Sequence, residues 1–248
     1  MLLITTLQMV NEPYNVVIVK VDQLCAETIR RASERIFPKG NIVASRSFRE
    51  AFATPRSAEL LITGCGAEEG DALDRLSDDR YLRPFRRVLV VSTRRDERML
   101  LALRSLSIDG FFDSSCDDPE KLDTAIRTVA EGRPYWSQSI LDHLRKELFS
   151  KRSISRILTP LEQLVLAVIG DGSDDEVAAE RLAMTPASVQ SVRRALHRKL
   201  GVQHRGNLVR AAVEHGFVRF VSGTVVRPGY SQLLAACTER RREKRAVE

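Results

Sequence analysis

Cysteine is scarce in this sequence, and the arrangement of the four that it contains excludes the usual cysteine motifs. No two of them form a CxxC pair, so the sequence holds neither a zinc knuckle nor a thioredoxin-like motif. Three of them, Cys25, Cys65 and Cys116, are predicted to lie just beyond strand ends at one edge of a sheet. We interpret them as small packing residues, and we keep redox sensing or metal binding by this trio as the alternative.

Long apolar runs are also missing. No stretch approaches the roughly 20 consecutive apolar residues that a membrane-spanning helix needs. The largely apolar residues 1–10 have no basic region before them and no small-residue cleavage site after them, unlike a secretory signal peptide. We therefore expect a soluble, cytoplasmic protein with reduced thiols and no membrane partner.

Signatures of an enzyme are absent as well. The sequence contains no P-loop, no glycine-rich dinucleotide-binding turn and no nucleophile with an accompanying base. The glycines at 64 and 66, on either side of Cys65, are too weak a signal to change this interpretation. We expect no cofactor, no bound metal and a function based on binding rather than catalysis.

The composition allows two domains. With 248 residues, of which 43% are hydrophobic, the chain is long enough for two units that each bury a core. The formal net charge of +6 favours an acidic partner, but an excess of this size does not identify one. A localised basic surface is needed before nucleic acid can be inferred.

Residues 159–217 carry closely spaced helix start signals that predict four short helices. Residues 159–162 (TPLE) and 173–176 (SDDE) have the form of capping boxes, and Thr185 precedes a proline at a predicted first helical position. The second and third helices, joined by residues 183–185, predict a helix-turn-helix. Gly201 and Gly216 follow the predicted ends of the third and fourth helices, where a left-handed residue is common.

The third of these helices, residues 186–200, has two contrasting faces. An apolar stripe, which must face a core, consists of Val189, Val192, Leu196 and Leu200. The rest of the helix contains no acidic residue and carries Ala187, Gln190, Ser191, Arg194, His197, Arg198 and Lys199. Guanidinium and amide groups pair with base edges in the major groove, and basic side chains neutralise phosphates. The alternative is a solvated basic face, but the predicted helix before it supplies the scaffold of a DNA-reading helix.

A resemblance to the LuxR-type DNA-binding domain is carried by residues 158–162, 177–178, 189, 199–202 and 208–216. It implies a four-helix domain whose third helix enters the major groove and whose fourth often supplies a dimer contact. It assigns base reading to Gln190, Ser191 and Arg194, and phosphate contacts to Arg198 and Lys199. Thr185 and Ser188, at the start of the helix, are further candidate DNA contacts. The sequence departs from the family at Ala187 and Gln190, where lysines are common, and at Val192, where histidine is usual.

Upstream, short aliphatic runs alternate with amphipathic segments, which is typical of a parallel sheet covered by helices. The predicted strands are residues 16–21, 42–44, 59–63, 87–91 and 110–112. The predicted helices between and after them are residues 24–37, 48–53, 71–79, 96–107 and 119–131. Such a five-stranded, doubly wound sheet presents its functional groups at the carboxyl ends of the strands.

This part of the chain resembles the receiver domain of NarL/FixJ-type response regulators, most clearly at residues 122–136 (LDTAIRTVAEGRPYW). The resemblance implies an acidic pair for Mg²⁺ after the first strand, a phosphate-accepting aspartate after the third and a lysine after the fifth. Here these places hold Lys20 and Val21, then Gly64 (or Thr63), then Asp113 or Ser114, and Ser92 alone keeps a matching residue type. Without the carboxylates, Mg²⁺ binding and acyl phosphate formation are not expected. Lys20 is expected either to pair with Asp22 or Asp113 or to be solvated.

These observations predict an α/β receiver-like domain (residues 1–139), a linker helix and basic linker (140–157), a LuxR-type domain (158–220) and a C-terminal extension (221–248). The extension is expected to contain a helix at residues 231–241 and a disordered charged end. The predicted function is that of a homodimeric, sequence-specific regulator of transcription that binds double-stranded DNA and is not switched by aspartyl phosphorylation. The alternative is a protein-interaction module whose receiver-like domain binds a regulatory protein partner and whose DNA binding is weak.

Overall fold

A computed structural model describes residues 14–19, 22–52, 58–65, 72–103, 106–149, 153–221 and 223–247. They fall into two compact units. Unit 1 comprises the described parts of Met1–Arg95 and Leu103–Leu144, and unit 2 those of Asp96–Ala102 and Arg145–Glu248. None of the described helices combines the length and the apolar character needed to cross a membrane.

Unit 1 is built on a parallel sheet of six strands in the order β2-β1-β3-β4-β5-β6. The strands are β1 Asn15–Val19, β2 Asn41–Ser45, β3 Ala58–Thr63, β4 Phe85–Ser92, β5 Gly110–Asp113 and β6 Tyr135–Trp136. The first five confirm the predicted strands to within a few residues, whereas the total of five was wrong. The sixth strand has only two residues, which pair with Gly110 and Phe111, and a strand of that length leaves no alternating pattern in the sequence.

Helices cover the sheet because its central strands are apolar on both faces, as in parallel sheets generally. Leu60, Leu61 and Ile62 of β3 are fully buried. The helices of unit 1 are α1 Gln23–Ile36, α2 Phe48–Phe52, α3 Ala72–Leu76, α4 Asp79–Leu82, α6 Glu120–Ala130 and the first part of α7 Gln138–Phe149, whereas α5 Glu97–Leu103 belongs to unit 2 up to Ala102. The predicted helix 71–79 is instead two short helices, and of the helix predicted over residues 96–107 the structure describes Glu97–Leu103, while residues 106 and 107 are not helical.

Unit 2 is organised around an apolar helix. Its elements from residue 154 onward are α8 Ile154–Ile157, α9 Pro160–Ile169, α10 Asp175–Leu182, α11 Pro186–Leu200, α12 Arg205–Glu214, β7 Arg219–Val221, β8 Thr224–Val226 and α13 Tyr230–Val247. Every residue of α9 from Glu162 to Ile169 is buried. Gly170, directly after it, cannot carry a side chain, since an added Cβ would lie 2.4 Å from that of Ala212.

The C-terminal extension is part of the core of unit 2. Strands β7 and β8 form an antiparallel hairpin, and α13 packs against α9 with Leu233 and Cys237 buried at 4% and 9% exposure. The guanidinium of Arg227 donates to the carbonyl oxygen of Ala167 at 3.0 Å. The helix continues to Val247, so the expectation of a disordered charged end was wrong.

Two neighbouring leucines of α13 test whether the extension stabilises unit 2. Leu233→Ala removes a buried side chain and should lower the free energy of unfolding of this unit by about 2–4 kcal/mol. Leu234 is 46% exposed, and Leu234→Ala should change it by less than about 0.5 kcal/mol. Urea denaturation followed by circular dichroism measures both changes, and equal effects would show that α13 is not anchored through Leu233.

Candidate nucleic-acid interface

Helices α9, α10 and α11 of unit 2 each begin at a residue whose side chain caps the helix. The Thr159 hydroxyl accepts a hydrogen bond from the Glu162 amide at 3.3 Å, and the Thr159 amide donates to Glu162 Oε2 at 2.7 Å, so the first capping box is confirmed. The predicted Thr185 cap is also confirmed, by its 3.2 Å bond from the Ser188 amide. At the second predicted box the cap is Asp174, not Ser173. Asp174 Oδ1 accepts from the Val177 amide at 2.9 Å.

A tight turn joins α10 to α11. Ala183 closes α10 in the left-handed conformation, with φ of 49°. Gly201, at φ of 67°, ends α11 where a left-handed residue was predicted. Between these points α11 packs its apolar stripe inward, with Val189 and Leu196 fully buried. The predicted stripe is therefore confirmed, and it fixes which side of the helix faces away from the core.

The candidate DNA contacts at the start of α11 and along it are all exposed residues. They are Thr185, Ser188, Gln190, Ser191, Arg194, Arg198 and Lys199, and the side chain of Lys199 is 30% exposed. Arg194 and Arg198 are four residues apart, so they lie on the same face of the helix. In the part of the chain that the structure describes, neither guanidinium forms a salt bridge. The surface therefore offers two unneutralised guanidinium groups together with one amide and several hydroxyl groups.

Three other basic side chains of α11 have partners within the protein. Arg193 Nε donates to Asp175 Oδ1 at 2.8 Å. Lys199 Nζ donates to Glu162 Oε2 at 2.8 Å and to the carbonyl oxygen of Ile157 at 3.1 Å. His197 Nδ1 lies 2.9 Å from the carbonyl oxygen of Val202. The sequence assigned Lys199 to a phosphate and gave no role to Arg193, since partners 37 and 18 residues away leave no local pattern.

The Lys199 contact also determines the ionisation of Glu162. Burial alone would raise the pKa of this carboxyl. The hydrogen bonds from Lys199 and Thr159 outweigh that effect and hold the pKa below its usual value. Glu162 is therefore ionised at neutral pH, although its side chain is only 10% exposed.

Gly64, Ser92 and Asp113, which the receiver resemblance aligned with a phosphorylation site, lie at the carboxyl edge of the sheet in unit 1. Lys20 and Val21 lie outside the described residues, so their expected contacts are not tested. Gly64 directly follows β3, Ser92 ends β4 and Asp113 ends β5. Ser92 Oγ accepts a hydrogen bond from the Arg94 amide at 3.1 Å.

Asp113 is the centre of a hydrogen-bond network at this edge, and its side chain is fully buried. Its Oδ2 accepts from Arg95 Nε at 2.8 Å and from the Ser139 hydroxyl at 2.7 Å. Its Oδ1 accepts from the Ser115 amide at 3.0 Å and from the Ser115 hydroxyl at 2.7 Å. Burial alone would raise the pKa of Asp113, but these bonds hold it below its usual value. Sequence reasoning missed Arg95 because a basic residue in a loop after a strand carries no distinctive signal.

The three cysteines at the predicted strand ends differ in environment. All are free thiols; Cys65 is buried, Cys25 half-buried and Cys116 exposed. Cys116 Sγ lies 2.6 Å from Arg95 Nη2. The described residues contain no group of three His, Cys, Asp or Glu side chains placed to hold a metal ion. Redox sensing by the trio stays a hypothesis.

Comparison with known proteins points in the same direction as the architecture. No protein-family model matches the chain. The transcriptional regulatory protein MctR of Rhizobium johnstonii is 35% identical over 99 residues, which cover 40% of this chain and 45% of MctR. The match thus spans less than half of the relative.

Solved structures of the response regulator RcsB share the fold. RcsB of Salmonella enterica serovar Typhimurium, bound to promoter P1flhDC with the phosphomimetic BeF₃⁻, superposes with a TM-score of 0.54 at 20% identity, covering 82% of this chain and 99% of that one. A second structure, of Salmonella typhimurium RcsB with a serine-to-cysteine change, superposes with a TM-score of 0.52 at 20% identity and covers the same share of both chains. A complex of two RcsB dimers with two parallel DNAs superposes with a TM-score of 0.52 at 21% identity, covering 82% of this chain and 99% of the RcsB chain. The chain shares the fold of these response-regulator structures, a receiver-like parallel sheet followed by a helix-turn-helix unit.

Proposed function

We propose that this protein is a sequence-specific, double-stranded-DNA-binding regulator of transcription whose receiver-like part is not switched by aspartyl phosphorylation. The observation that carries the proposal is the outward face of α11, where Arg194 and Arg198 are exposed and lack a carboxylate partner among the described residues. Its inward face is buried, so the helix has one side available for a ligand. A duplex major groove is wide enough to admit that side.

The side chains on this face divide into two roles. Gln190, Ser191 and Arg194 lie in the first half of the helix, where the LuxR-type resemblance places base reading. The fork of donors on Arg194 suits the two acceptors of guanine, and the amide of Gln190 suits adenine. Arg198, one turn further on, neutralises a phosphate, and the hydroxyls of Thr185 and Ser188 at the helix start offer hydrogen bonds to the backbone.

A homodimer completes the proposed interface. A single recognition helix reads only a few base pairs, whereas two helices about one DNA turn apart read a repeated site. The LuxR-type resemblance gives the fourth helix of the domain, here α12, a role in pairing. RcsB, which shares the fold, is described as dimers bound to DNA.

Phosphorylation independence is supported by the charges at the carboxyl edge of the sheet. The residue directly after β3 is Gly64, which has no carboxylate to accept a phosphoryl group. The buried carboxylate that is present, Asp113, is already satisfied by Arg95, Ser115 and Ser139. An aspartate that accepts these bonds is a poor nucleophile toward a phosphoryl group, and the described residues contain no group of three His, Cys, Asp or Glu side chains that could hold Mg²⁺.

Two alanine variants on α11 test the DNA-binding proposal. Arg194→Ala should lose about 1–3 kcal/mol of discrimination at particular base pairs while keeping most of the affinity for random DNA. Arg198→Ala should weaken binding to all duplexes alike and reduce the salt slope by about 1. Fluorescence anisotropy with base-substituted duplexes at several salt concentrations measures both. Arg31→Ala, an exposed arginine on α1 of unit 1, is the control.

If both α11 variants bind preferred and random duplexes like the parent, the assignment of this helix is wrong. A parent protein that shows only weak binding without sequence preference would favour a protein-interaction module instead.

Incubation with acetyl phosphate and Mg²⁺ tests the proposed loss of phosphorylation. We expect no mass increase, because no carboxylate is placed to attack the phosphoryl group. Intact-mass spectrometry detects one added phosphate, and a phosphorylatable response regulator in the same mixture is the positive control. A hydroxylamine-labile phosphate on an aspartate of unit 1 would contradict the proposal.

The ionised Asp113 network should make the stability of unit 1 depend on pH. Because the pKa of Asp113 is lower in the folded state, the stabilisation is present at neutral pH and is lost as the pH falls through the folded pKa. Asp113→Asn should therefore cost roughly 2–4 kcal/mol at pH 7 and progressively less below about pH 4. Urea unfolding at several pH values measures the difference, with exposed Glu120→Gln as the control. A cost that does not change with pH would exclude an ionised Asp113.

A further inference from the structure

We propose that Lys199 and Arg193 are positioning residues, which hold the recognition helix α11 at a fixed angle and do not contact DNA. The inference rests on the proposed function and goes beyond it, because it divides the basic residues of one helix into two classes. Arg194 and Arg198 contact DNA, whereas Lys199 and Arg193 determine whether those contacts fall in register with the bases.

Lys199 ties the last turn of α11 to the start of α9. Its ammonium donates to Glu162 Oε2 at 2.8 Å and to the carbonyl oxygen of Ile157 at 3.1 Å. The same Glu162 oxygen accepts the Thr159 amide at 2.7 Å in the capping box. The Glu162 carboxylate therefore caps the start of α9 and also holds the last turn of α11 through Lys199. If Lys199 moved to a phosphate, the ion pair would break and leave the carboxylate of Glu162, which is 10% exposed, without its cation.

Arg193 ties the middle of α11 to the start of α10. Its Nε and Nη2 lie 2.8 and 2.7 Å from Asp175 Oδ1, and Nη2 also donates to the carbonyl oxygen of Ser173 at 3.3 Å. Asp175 is the first residue of α10, where the helix dipole favours a negative charge. The Arg193 side chain is 13% exposed, which leaves little of it available to a ligand.

The Lys199–Glu162 and Arg193–Asp175 contacts are the two ties that join α11 to α9 and α10. They are six residues apart along α11, so together they resist both tilting and sliding of the helix. Base reading depends on such control, because productive geometries tolerate displacements of only about 0.5 Å. Attraction to phosphates depends on charge and is far less sensitive to orientation. Loss of a tie should therefore reduce sequence preference more than it reduces binding to random DNA.

The test uses full-length variants that remove a tie without changing the net charge. Glu162→Gln with Lys199→Met removes one, and Asp175→Asn with Arg193→Met removes the other. Glutamine at 162 keeps the capping box, which accepts either residue. We expect the ratio of specific to random affinity to fall about tenfold in each double variant, with the salt slope unchanged. The matched control, Arg198→Met, should keep that ratio and lower the slope by about 1.

Lys199→Arg supplies the rescue, because an arginine can still pair with Glu162. It should retain both the sequence preference and the salt slope of the parent. All measurements are made well below the unfolding midpoint of each variant, and circular dichroism verifies that the helices are intact. This separates loss of orientation from loss of fold, and the salt slope of Lys199→Met alone distinguishes a positioning role from a phosphate contact even if a double variant is unstable.

Two results would overturn the inference. In the first, Lys199→Met alone lowers the salt slope as Arg198→Met does, which would make Lys199 a phosphate contact. In the second, the double variants keep the sequence preference of the parent while Arg194→Ala loses it, which would leave the proposed function intact and remove the positioning role. A parent protein without any preference would instead contradict the proposed function itself.

Discussion

The burial of helix α9 is the constraint on which unit 2 depends. Its residues from Glu162 to Ile169 are buried, so other elements must cover it. Helix α11 does so with Val189 and Leu196, and α13 does so with Leu233. Because the apolar stripe of α11 is buried in this core, the basic residues between the apolar positions point either to solvent or to carboxylates of neighbouring helices. Arg194 and Arg198 are exposed to solvent, whereas Arg193 and Lys199 pair with Asp175 and Glu162.

The same principle of satisfying buried charge accounts for the carboxyl edge of the sheet in unit 1. In a receiver, this edge gathers several carboxylates whose mutual repulsion is relieved by a metal ion. Here Asp113 is buried with a guanidinium and two hydroxyl groups as permanent partners. These partners, which belong to the protein itself, stabilise the ionised form of the Asp113 carboxylate. Unit 1 thus has a fixed ion pair and hydrogen-bond network at this edge of its receiver-like sheet.

Local signals made much of this structure predictable from the sequence. The Thr159 and Thr185 caps and the five aliphatic strands depend on residues close to one another in the chain, and all appear near their predicted positions. What could not be predicted depends on distant partners. The Arg95–Asp113 pair joins residues 18 apart, and the β6 strand exists only because β5 offers it an edge. The Asp174 cap is different, because it is local: Asp174 caps α10 in place of Ser173, whose amide donates to Asp171 Oδ1 at 2.8 Å.

The central claim is that the Arg194 and Arg198 side of α11 enters the major groove, and dimethyl sulfate footprinting of the full chain on a selected duplex tests it most directly. This reagent methylates guanine N7, an acceptor that lies in the major groove. We predict that guanine N7 atoms within the bound site are protected from methylation, and that this protection is lost when Arg194 is replaced by alanine. Reactive guanines throughout a saturated site, with protection confined to the minor groove, would contradict it.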